Sequence, residues 1–566
     1  MCGIVGIIGS NPSYSKLNAM LEVQQHRGPD YTGKYIDEYI ALGHNRLAII
    51  DLSEGANQPF YSKDKRYILV FNGEIYNYLE IKEQLKNKYT FKTNSDTEVL
   101  LAAYITWGKD CLHKLNGMFS FAVWDTETEK LFAARDRFGV KPFYYAHSND
   151  KLYITSEIKT LFAGGIEKVI NKEVWASYFV YGSYGLLNKT FWEGIYQLPG
   201  GHYLEYKQGK YNVKKWYNFE DEVKKYAKKL SFEEVKNKYQ ELLEDSIRLR
   251  FRADVPIGFN ISGGLDSSAL LAFVNKTQDK NQIKAYTFYC NNADYDELPW
   301  VYKMIAKTKN PLTEVLLNVN EVEKLTTEMV NLQDEPFGGI PTIAYGKIFK
   351  QAQNDGVKVL LDGQGMDEQW AGYDYYVTKN NSVVQGVSKS PFKKNVLSTS
   401  FLKLAVKPAY PKPFNNEVLN LQYRDLFYTK IPRALRFNDR VSMGASTELR
   451  EPFLDYRLVE FAFAQPLDYK IKNGIQKYLV RNLVAKYLGN EITFAPKRPL
   501  QTPQREWLGN ELKEFVEIQL KKLVEHDGLD WFNKEELMME WKKYLEGDSN
   551  SSFHIWQWLN LALLLE

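Results

Sequence analysis

Residues 257–270 read IGFNISGGLDSSAL, and this stretch constrains the fold more than any other. Ile257 to Ile261 is a short apolar run of the kind that forms a buried strand. Ser262, Gly263 and Gly264 break it, and a helix resumes with Asp266, Ser267 and Ser268 in its first turn. A helix start leaves backbone N–H groups unpaired and carries partial positive charge, so it favours phosphate. The two glycines let that backbone approach an anion closely. Ser262, Ser267 and Ser268 add hydroxyl donors, and Asp266 offers a carboxylate for a metal ion at the phosphates. The Gly-Lys-Ser/Thr ending of a Walker A loop is missing. A bare Ser-Gly-Gly would be an ordinary strand–turn–helix. The whole string after an apolar run points to a nucleotide.

Composition bounds the rest. The chain has 566 residues, enough for two to four domains. With 44% hydrophobic and 25% charged residues it reads as a globular protein with sizeable cores. A net charge of +3 calls for neither nucleic acid nor an anionic membrane. Cys2, Cys111 and Cys290 are too scattered for a disulfide framework or a zinc site. No apolar run reaches the length of a membrane span, and the N-terminus lacks a signal-peptide pattern. A reducing, cytoplasmic setting is the expectation.

The chain begins Met1-Cys2-Gly3 and runs into the apolar strand Ile4 to Gly9. Trimming of Met1 would leave Cys2 with a free α-amine beside its thiol. An amine of pKa roughly 8 can take the proton of a thiol of pKa about 8.5, which is the logic of an N-terminal nucleophile. Alone, a cysteine in a strand is more simply a core residue. Further polar pieces follow: His26-Arg27-Gly28-Pro29-Asp30 as a turn, Arg46 beside an apolar strand, Leu69 to Phe71 running into an Asn72-Gly73 turn, and Asn94 to Glu98 capping a helix that starts near Val99. Strands are expected at 117–125 and 131–136. Several short strands with few helices predict stacked antiparallel sheets.

MCGIVGI, HRGPD, GHNRLAIID, FNGEIYN, SDTEV and RDRFGVKP together resemble the glutaminase domain of class II glutamine amidotransferases, and occur in that family's order. The resemblance implies an α+β N-terminal nucleophile domain in which Cys2 attacks the side-chain amide of glutamine. It implies an oxyanion hole from Asn72 and the N–H of Gly73, Arg46 on the glutamine α-carboxylate, and Asp96 and Glu74 on its α-ammonium. The ammonia released would pass internally to a second site. This domain is expected to span residues 1–210, with the hairpin-like stretch 203–217 at its end and the lysine-rich run 221–229 as a linker or exposed helix.

Residues 211–566 form the expected second domain. Phe232 to Arg250 has helical periodicity, and strand-like runs recur at 285–290, 314–319 and 357–361. Strands alternating with helices predict a doubly wound parallel sheet, with ligands beyond the carboxyl ends of its strands. Past Tyr373 the sequence reads as helical. SGGLDSS is similar to the pyrophosphate loop of enzymes that cut ATP between the α and β phosphates. The turn Asp362-Gly363-Gln364-Gly365-Met366-Asp367-Glu368 resembles the second ATP-site motif of asparagine synthetases. By that resemblance Asp266 and Asp367 would hold Mg²⁺ on the pyrophosphate, and Ile261, Phe288, Asp362 and Gly363 would border ATP. Lys477, within NGIQKYL, would neutralise charge at the α-phosphate. The matches run from Cys2 into the 497–505 stretch KRPLQTPQR, whose role stays open.

The chain is thus similar to glutamine-hydrolysing asparagine synthetases of the bacterial type, in which aspartate and ATP give β-aspartyl-AMP, which ammonia converts to asparagine. A dimer would suit that family. One departure stands out: many members carry a glutamate where Gln364 stands, and Glu335 or Glu368 could substitute for it as a base. Gln364 and the Gln369-Trp370 pair leave another carboxylate open as acceptor, such as a uronic acid of a surface polysaccharide, with Trp370 either stacked on a sugar or packed in the core. A tRNA-modifying pyrophosphatase and a non-catalytic glutamine or nucleotide sensor are the remaining alternatives; near-neutral charge argues against the first, intact Cys2, Asn72, Asp266 and Asp367 against the second.

Overall fold

A computed structural model describes residues 2–278, 283–378, 390–495, 502–547 and 551–566. The first half forms twelve strands: β1 Gly3–Ile8, β2 Tyr31–Ile36, β3 Ile40–Arg46, β4 Phe60–Tyr61, β5 Tyr67–Ile75, β6 Gly117–Asp125, β7 Lys130–Arg135, β8 Tyr144–Ser148, β9 Lys151–Thr155, β10 Ile195–Gln197, β11 His202–Lys207 and β12 Lys210–Lys215. They make two six-stranded antiparallel sheets, ordered β10-β8-β9-β1-β3-β2 and β12-β11-β7-β6-β5-β4. Period-2 alternation explains the stacking. Ile4 and Ile8 of β1 meet Ile68 and Val70 of β5 between the sheets. Val5 and Ile7 face outward onto helix Tyr14–Val23 through Leu17, Met20 and Leu21. Leu69 and Phe71 face helices Tyr78–Leu85 and Asp96–Trp107. Both faces of the central strands are covered, so β1, β5 and β6 are buried along nearly their whole length, whereas the edge strands β2 and β12 are largely exposed.

Two local expectations are corrected here. Asn72-Gly73 is not a turn. β5 runs straight through it, with Asn72 opposite Ser120 and Gly73 opposite Phe119. The glycine is needed for close packing: its φ is +151°, and a Cβ there would stand 2.1 Å from the Met118 carbonyl oxygen. The 94–98 helix starts at Asp96, three residues before Val99, because Ser95 is its cap and accepts from the Glu98 N–H at 3.2 Å. Such a cap contributes about 1 kcal/mol.

The second half carries a five-stranded parallel sheet, β13 Ile257–Asn260, β14 Ala285–Tyr289, β15 Leu312–Leu316, β16 Val359–Leu361 and β17 Glu448–Arg450, in the order β15-β14-β13-β16-β17. Chain direction across the sheet reverses at the β13–β16 pair, the switch point where α/β folds bind ligands. Residues 314–319 are a strand only as far as Leu316; Val319 already begins helix Val319–Gln333, capped by Asn318. β17 went unforeseen, being three residues long inside a helical stretch. Helix Lys430–Gly444 delivers it, and helix Phe553–Leu565 is buried against Phe337 and Tyr178. No helix among the described residues is long and apolar enough to cross a membrane.

The β11–β12 hairpin straddles position 210 and holds residues 211–215 in the first half's sheet. The halves are locked by buried polar links. Arg27 donates to Asp439 at 2.9 and 3.2 Å and to Glu157 at 2.7 Å. Asn116 donates to Asp455 at 3.0 Å, and the Tyr217 hydroxyl to Glu460 at 2.7 Å. Within the HRGPD turn Arg27 is buried and belongs to the contact between halves, while Pro29 and Asp30 stay exposed.

Candidate functional site

Two sites lie at the strand ends. In the first, β1 buries Cys2, whose residue is 7% exposed. The Cys2 backbone nitrogen donates to Asn72 Oδ1 at 3.0 Å, and its carbonyl accepts from Arg27 Nε at 3.0 Å. Asn72 Nδ2, at the other end of that amide, is buried and has no hydrogen-bond partner among the described residues. A buried amide N–H₂ left unpaired costs about 1–3 kcal/mol, so it marks a place for a ligand acceptor. Burial pushes the Cys2 thiol up, and the Leu47 backbone and the Arg46 charge oppose that.

Around this nucleus stand Arg46, Glu74 and Asp96. Arg46 donates to Asn57 Oδ1 at 2.8 Å and Ser53 O at 2.9 Å, and also to Asp51 O, so the 50–57 loop aims its head. Asp96 Oδ2 accepts the Ile75 N–H at 2.8 Å, which ties the helix start to the end of β5. Burial pushes the Asp96 carboxyl up to about 7. Burial, then Glu448 and Asp96, push Glu74 well above its ordinary value. Two buried carboxyls in mutual electrostatic contact are thus both pushed up.

In the second site the 262–264 loop after β13 faces the 362–368 turn after β16 across a cavity of about 190 Å³. Ser262, Gly263, Gly264, Asp266, Ser267, Asp362, Gly363 and Asp367 all line it. Ser267 Oγ donates to Ser262 O at 2.7 Å and accepts the Ser262 N–H at 3.2 Å, so this hydroxyl staples the loop. Ser268 is buried and lies outside the cavity lining, which removes it as a donor. Gly263 N donates to Glu297 Oε2 at 3.3 Å, which ties the loop to the 295–297 stretch. Ile261 and Phe288 line a neighbouring pocket with Tyr295 and Tyr345.

Lys477 sits at the centre. A hairpin, 471–476, delivers it at φ +53° to the start of helix Tyr478–Leu488. Its Nζ stands 2.5 and 2.7 Å from the Asp266 oxygens and 2.5 Å from Asp367 Oδ1. Burial would lower the Lys477 ammonium, but Asp266 and Asp367 outweigh it and hold it above its ordinary value. Gly372 makes the approach possible, since a Cβ there would stand 1.8 Å from Asp367 Oδ1. The two carboxylates converge on one cation position, which fits a divalent ion bound with phosphates. Burial and Asp266 push Asp362 up to about 6.

The expected substitutes for Gln364 separate. Glu335 lies away from the cavity, its oxygens taken by Phe191 N at 3.0 Å and Arg436 Nη1 at 2.8 Å. Glu368 lines the cavity, accepts the Tyr373 hydroxyl at 2.7 Å, and burial beside Asp367 pushes it up to about 8. Trp370 is fully buried, with its ring edge-on to Tyr239 at 4.9 Å, and so is core. Gln369 is buried too, bonded to Tyr239 Oη at 3.1 Å and Phe453 O at 2.5 Å. Tyr373 and Arg481 line the cavity and went unnoticed in sequence, where no pattern distinguishes them from core and surface residues. Of the 497–505 stretch, 497–501 lies outside the described residues.

A buried cysteine at position 2 with an unpartnered Asn72 nitrogen beside it, and a glycine-rich loop at the switch point of a parallel sheet, make two separate candidate sites. Comparison with known proteins agrees. Residues 1–217 match the glutamine amidotransferase domain and residues 238–566 the asparagine synthase family. Asparagine synthetase [glutamine-hydrolyzing] 1 of Bacillus subtilis is 27% identical, covering 98% of this chain and 95% of that protein. A putative asparagine synthetase 2 of Methanocaldococcus jannaschii is 34% identical over 66% of this chain and 76% of its own length. Amidase chry2 of Gibberella zeae is 26% identical over 95% of this chain and 96% of that protein. The chain belongs to the asparagine synthase family and is a glutamine-hydrolysing ligase, with glutamine and ATP as its substrates.

Proposed function

We propose that the protein makes asparagine from aspartate, with glutamine as nitrogen donor and Mg²⁺-bound ATP as activator. The observation that carries the first half is the Asn72 amide: its oxygen holds the Cys2 nitrogen and its Nδ2 has no partner among the described residues. With Met1 gone, the Cys2 amine takes the thiol proton, and Sγ attacks the side-chain carbon of glutamine. The oxyanion is received by Asn72 Nδ2 and the Gly73 N–H; one such donor is worth roughly 2.7–4 kcal/mol. The C–N bond breaks, the amine returns its proton to the leaving nitrogen, and ammonia departs. Water then hydrolyses the thioester to glutamate. Arg46 takes the α-carboxylate by exchanging one of its loop contacts, and Glu74 and Asp96 take the α-ammonium.

In the second half the Ser262–Gly264 loop and the helix start behind it receive phosphate oxygens. Asp266 and Asp367 would hold Mg²⁺, which when bound neutralises pyrophosphate as it leaves. The aspartate β-carboxylate displaces pyrophosphate from the α-phosphorus and forms β-aspartyl-AMP. Lys477 offsets charge on the α-phosphoryl oxygens. Ammonia attacks the acyl carbon, AMP leaves, and a proton is lost to the cavity. Gln364 cannot accept it; Glu368 is the carboxyl group that the cavity offers in its place. The two working domains divide just after the β11–β12 hairpin, beyond residue 215 and not at 210, in a cytoplasmic enzyme that assembles as a dimer.

A pH dependence follows from the glutamine pocket. An α-ammonium binds ionised carboxylates, whereas Asp96 titrates at about 7 and Glu74 lies above its ordinary value when the pocket is empty. Glutamine binding therefore releases protons, and affinity rises with pH. The glutamine KM should rise up to about tenfold per proton per unit as pH falls from 8 to 6, with the ATP KM unchanged. Asp96→Asn should weaken glutamine binding and flatten the profile; a flat wild-type profile would move the ammonium elsewhere.

The acceptor test supplies ATP, Mg²⁺ and glutamine with either L-aspartate or a nucleotide-linked uronic acid, and follows AMP and amide by mass spectrometry. Asparagine at many turnovers per enzyme is the expected outcome. Burial of Trp370 and Gln369 removes the stacking surface that spoke for a sugar. Gln364 and the relatives named as amidases keep the uronic acid as the second reading. Amidated uronate without asparagine at saturating aspartate would overturn the first.

A further inference from the structure

Arg450 ends β17 in the parallel sheet, yet its guanidinium lies against the glutamine pocket. Nε donates to Glu448 Oε1 at 2.5 Å, and Nη1 to the carbonyls of Arg250 at 2.6 Å and Arg252 at 2.9 Å. The remaining nitrogen, Nη2, stands 3.6 Å from Glu74 Oε2. Neither of those two atoms has a hydrogen-bond partner among the described residues, and the Arg450 side chain is fully buried. The same residue acts on the other site through its backbone. Its carbonyl accepts the Asp362 N–H at 3.0 Å, and Asp362 and Gly363 line the nucleotide cavity.

We propose that Arg450 is a positioning residue shared by the two sites: its side chain closes the glutamine α-amine pocket from the synthetase half, and its carbonyl fixes the strand end that borders the nucleotide. The inference rests on the assignment of Glu74 to the α-ammonium. A ligand cation arriving at Glu74 meets Nη2 across the same carboxylate. The guanidinium cannot swing away, because three hydrogen bonds hold its other nitrogens. The load is therefore taken by β17, and through one backbone hydrogen bond by Asp362. Occupancy of one site then alters affinity at the other, and the effect is reciprocal. Nucleotide that fixes the 362–363 strand end stiffens β17 beneath Arg450, so glutamine binds more tightly when nucleotide is present.

The test uses Cys2→Ala, which cannot consume glutamine, and a non-cleavable α,β-methylene ATP with Mg²⁺. Titration calorimetry should give a glutamine Kd at least threefold lower with the analogue than without it. Arg450→Lys in the same background keeps the charge and loses the fork, and should abolish that difference. With Cys2 intact, Arg450→Lys should raise the glutamine KM about tenfold and leave the glutaminase kcat within threefold. Equal Kd values in the Cys2→Ala parent would overturn the proposal whether or not Arg450→Lys folds. So would an Arg450→Lys protein that keeps both the threefold difference and the parental KM. A Glu74→Gln control separates the underlying assignment: if it leaves the glutamine Kd unchanged, Glu74 does not hold the ammonium and the failure lies there.

Discussion

Replacing Cys2 by alanine is expected to remove glutamine-dependent amide formation while sparing synthesis from added ammonium. The loss should be on the order of 10⁴-fold or more, as when a covalent nucleophile is deleted elsewhere. The fold should tolerate it. Apart from the Leu47 backbone, which faces the thiol, the hydrogen bonds that fix the residue run through its own backbone, to Asn72 and Arg27. Residues lining the nucleotide cavity lie in the other half, so its chemistry needs only ammonia from solution. Pyrophosphate release measured with each nitrogen source checks the split. A folded Cys2→Ala protein that had lost both activities would break the two-site account. An uncleaved extension ahead of Cys2 should act like the alanine, because it removes the amine that serves as base.

The mirror image is expected of Asp266→Asn and Asp367→Asn. Each should lower pyrophosphate release on the order of a hundredfold to a thousandfold and leave glutamine hydrolysis standing. The reasoning is electrostatic. Both carboxylates point at one cation position, where Lys477 Nζ is now 2.5 Å from each. An amide there contributes neither charge nor a second oxygen of the same basicity. Metal binding gives an independent readout: Mn²⁺ bound with nucleotide, counted by electron paramagnetic resonance, should fall in either variant. Unchanged Mn²⁺ occupancy with unchanged pyrophosphate release would move the metal elsewhere.

Much of the architecture was legible because local rules and the global fold agree. The 257–268 stretch has a strand, a glycine break and a helix start in the order that a switch-point loop requires, and the structure has that loop. The antiparallel half was legible as a class because short strands follow one another with few helices between them. Errors arose where packing over distance overrode a local signal. Asn72-Gly73 has turn composition, but pairing with β6 keeps it extended, and a close approach to Met118 explains the glycine. HRGPD reads as a polar turn, yet its Arg27 is buried against Asp439, 412 residues away. Trp370 could not be placed by composition, since a ring beside a metal-type aspartate serves a core or a ligand equally well. The 448–455 stretch matches the family, but the role of Arg450 was not legible in it, because its partners include a backbone carbonyl 200 residues away and Glu74 in the other half.

The Arg27 and Arg450 contacts also bear on how the enzyme comes off the ribosome. Both antiparallel sheets are complete once Lys215 has emerged, so the hydrolase half can collapse early. Asp439 and Arg450 are translated more than two hundred residues later, a wait on the order of tens of seconds at usual elongation rates. Throughout that interval Arg27 is without Asp439, and Glu74 has no guanidinium beside it. A nascent chain thus carries Cys2 in a pocket whose last wall has not yet been synthesised.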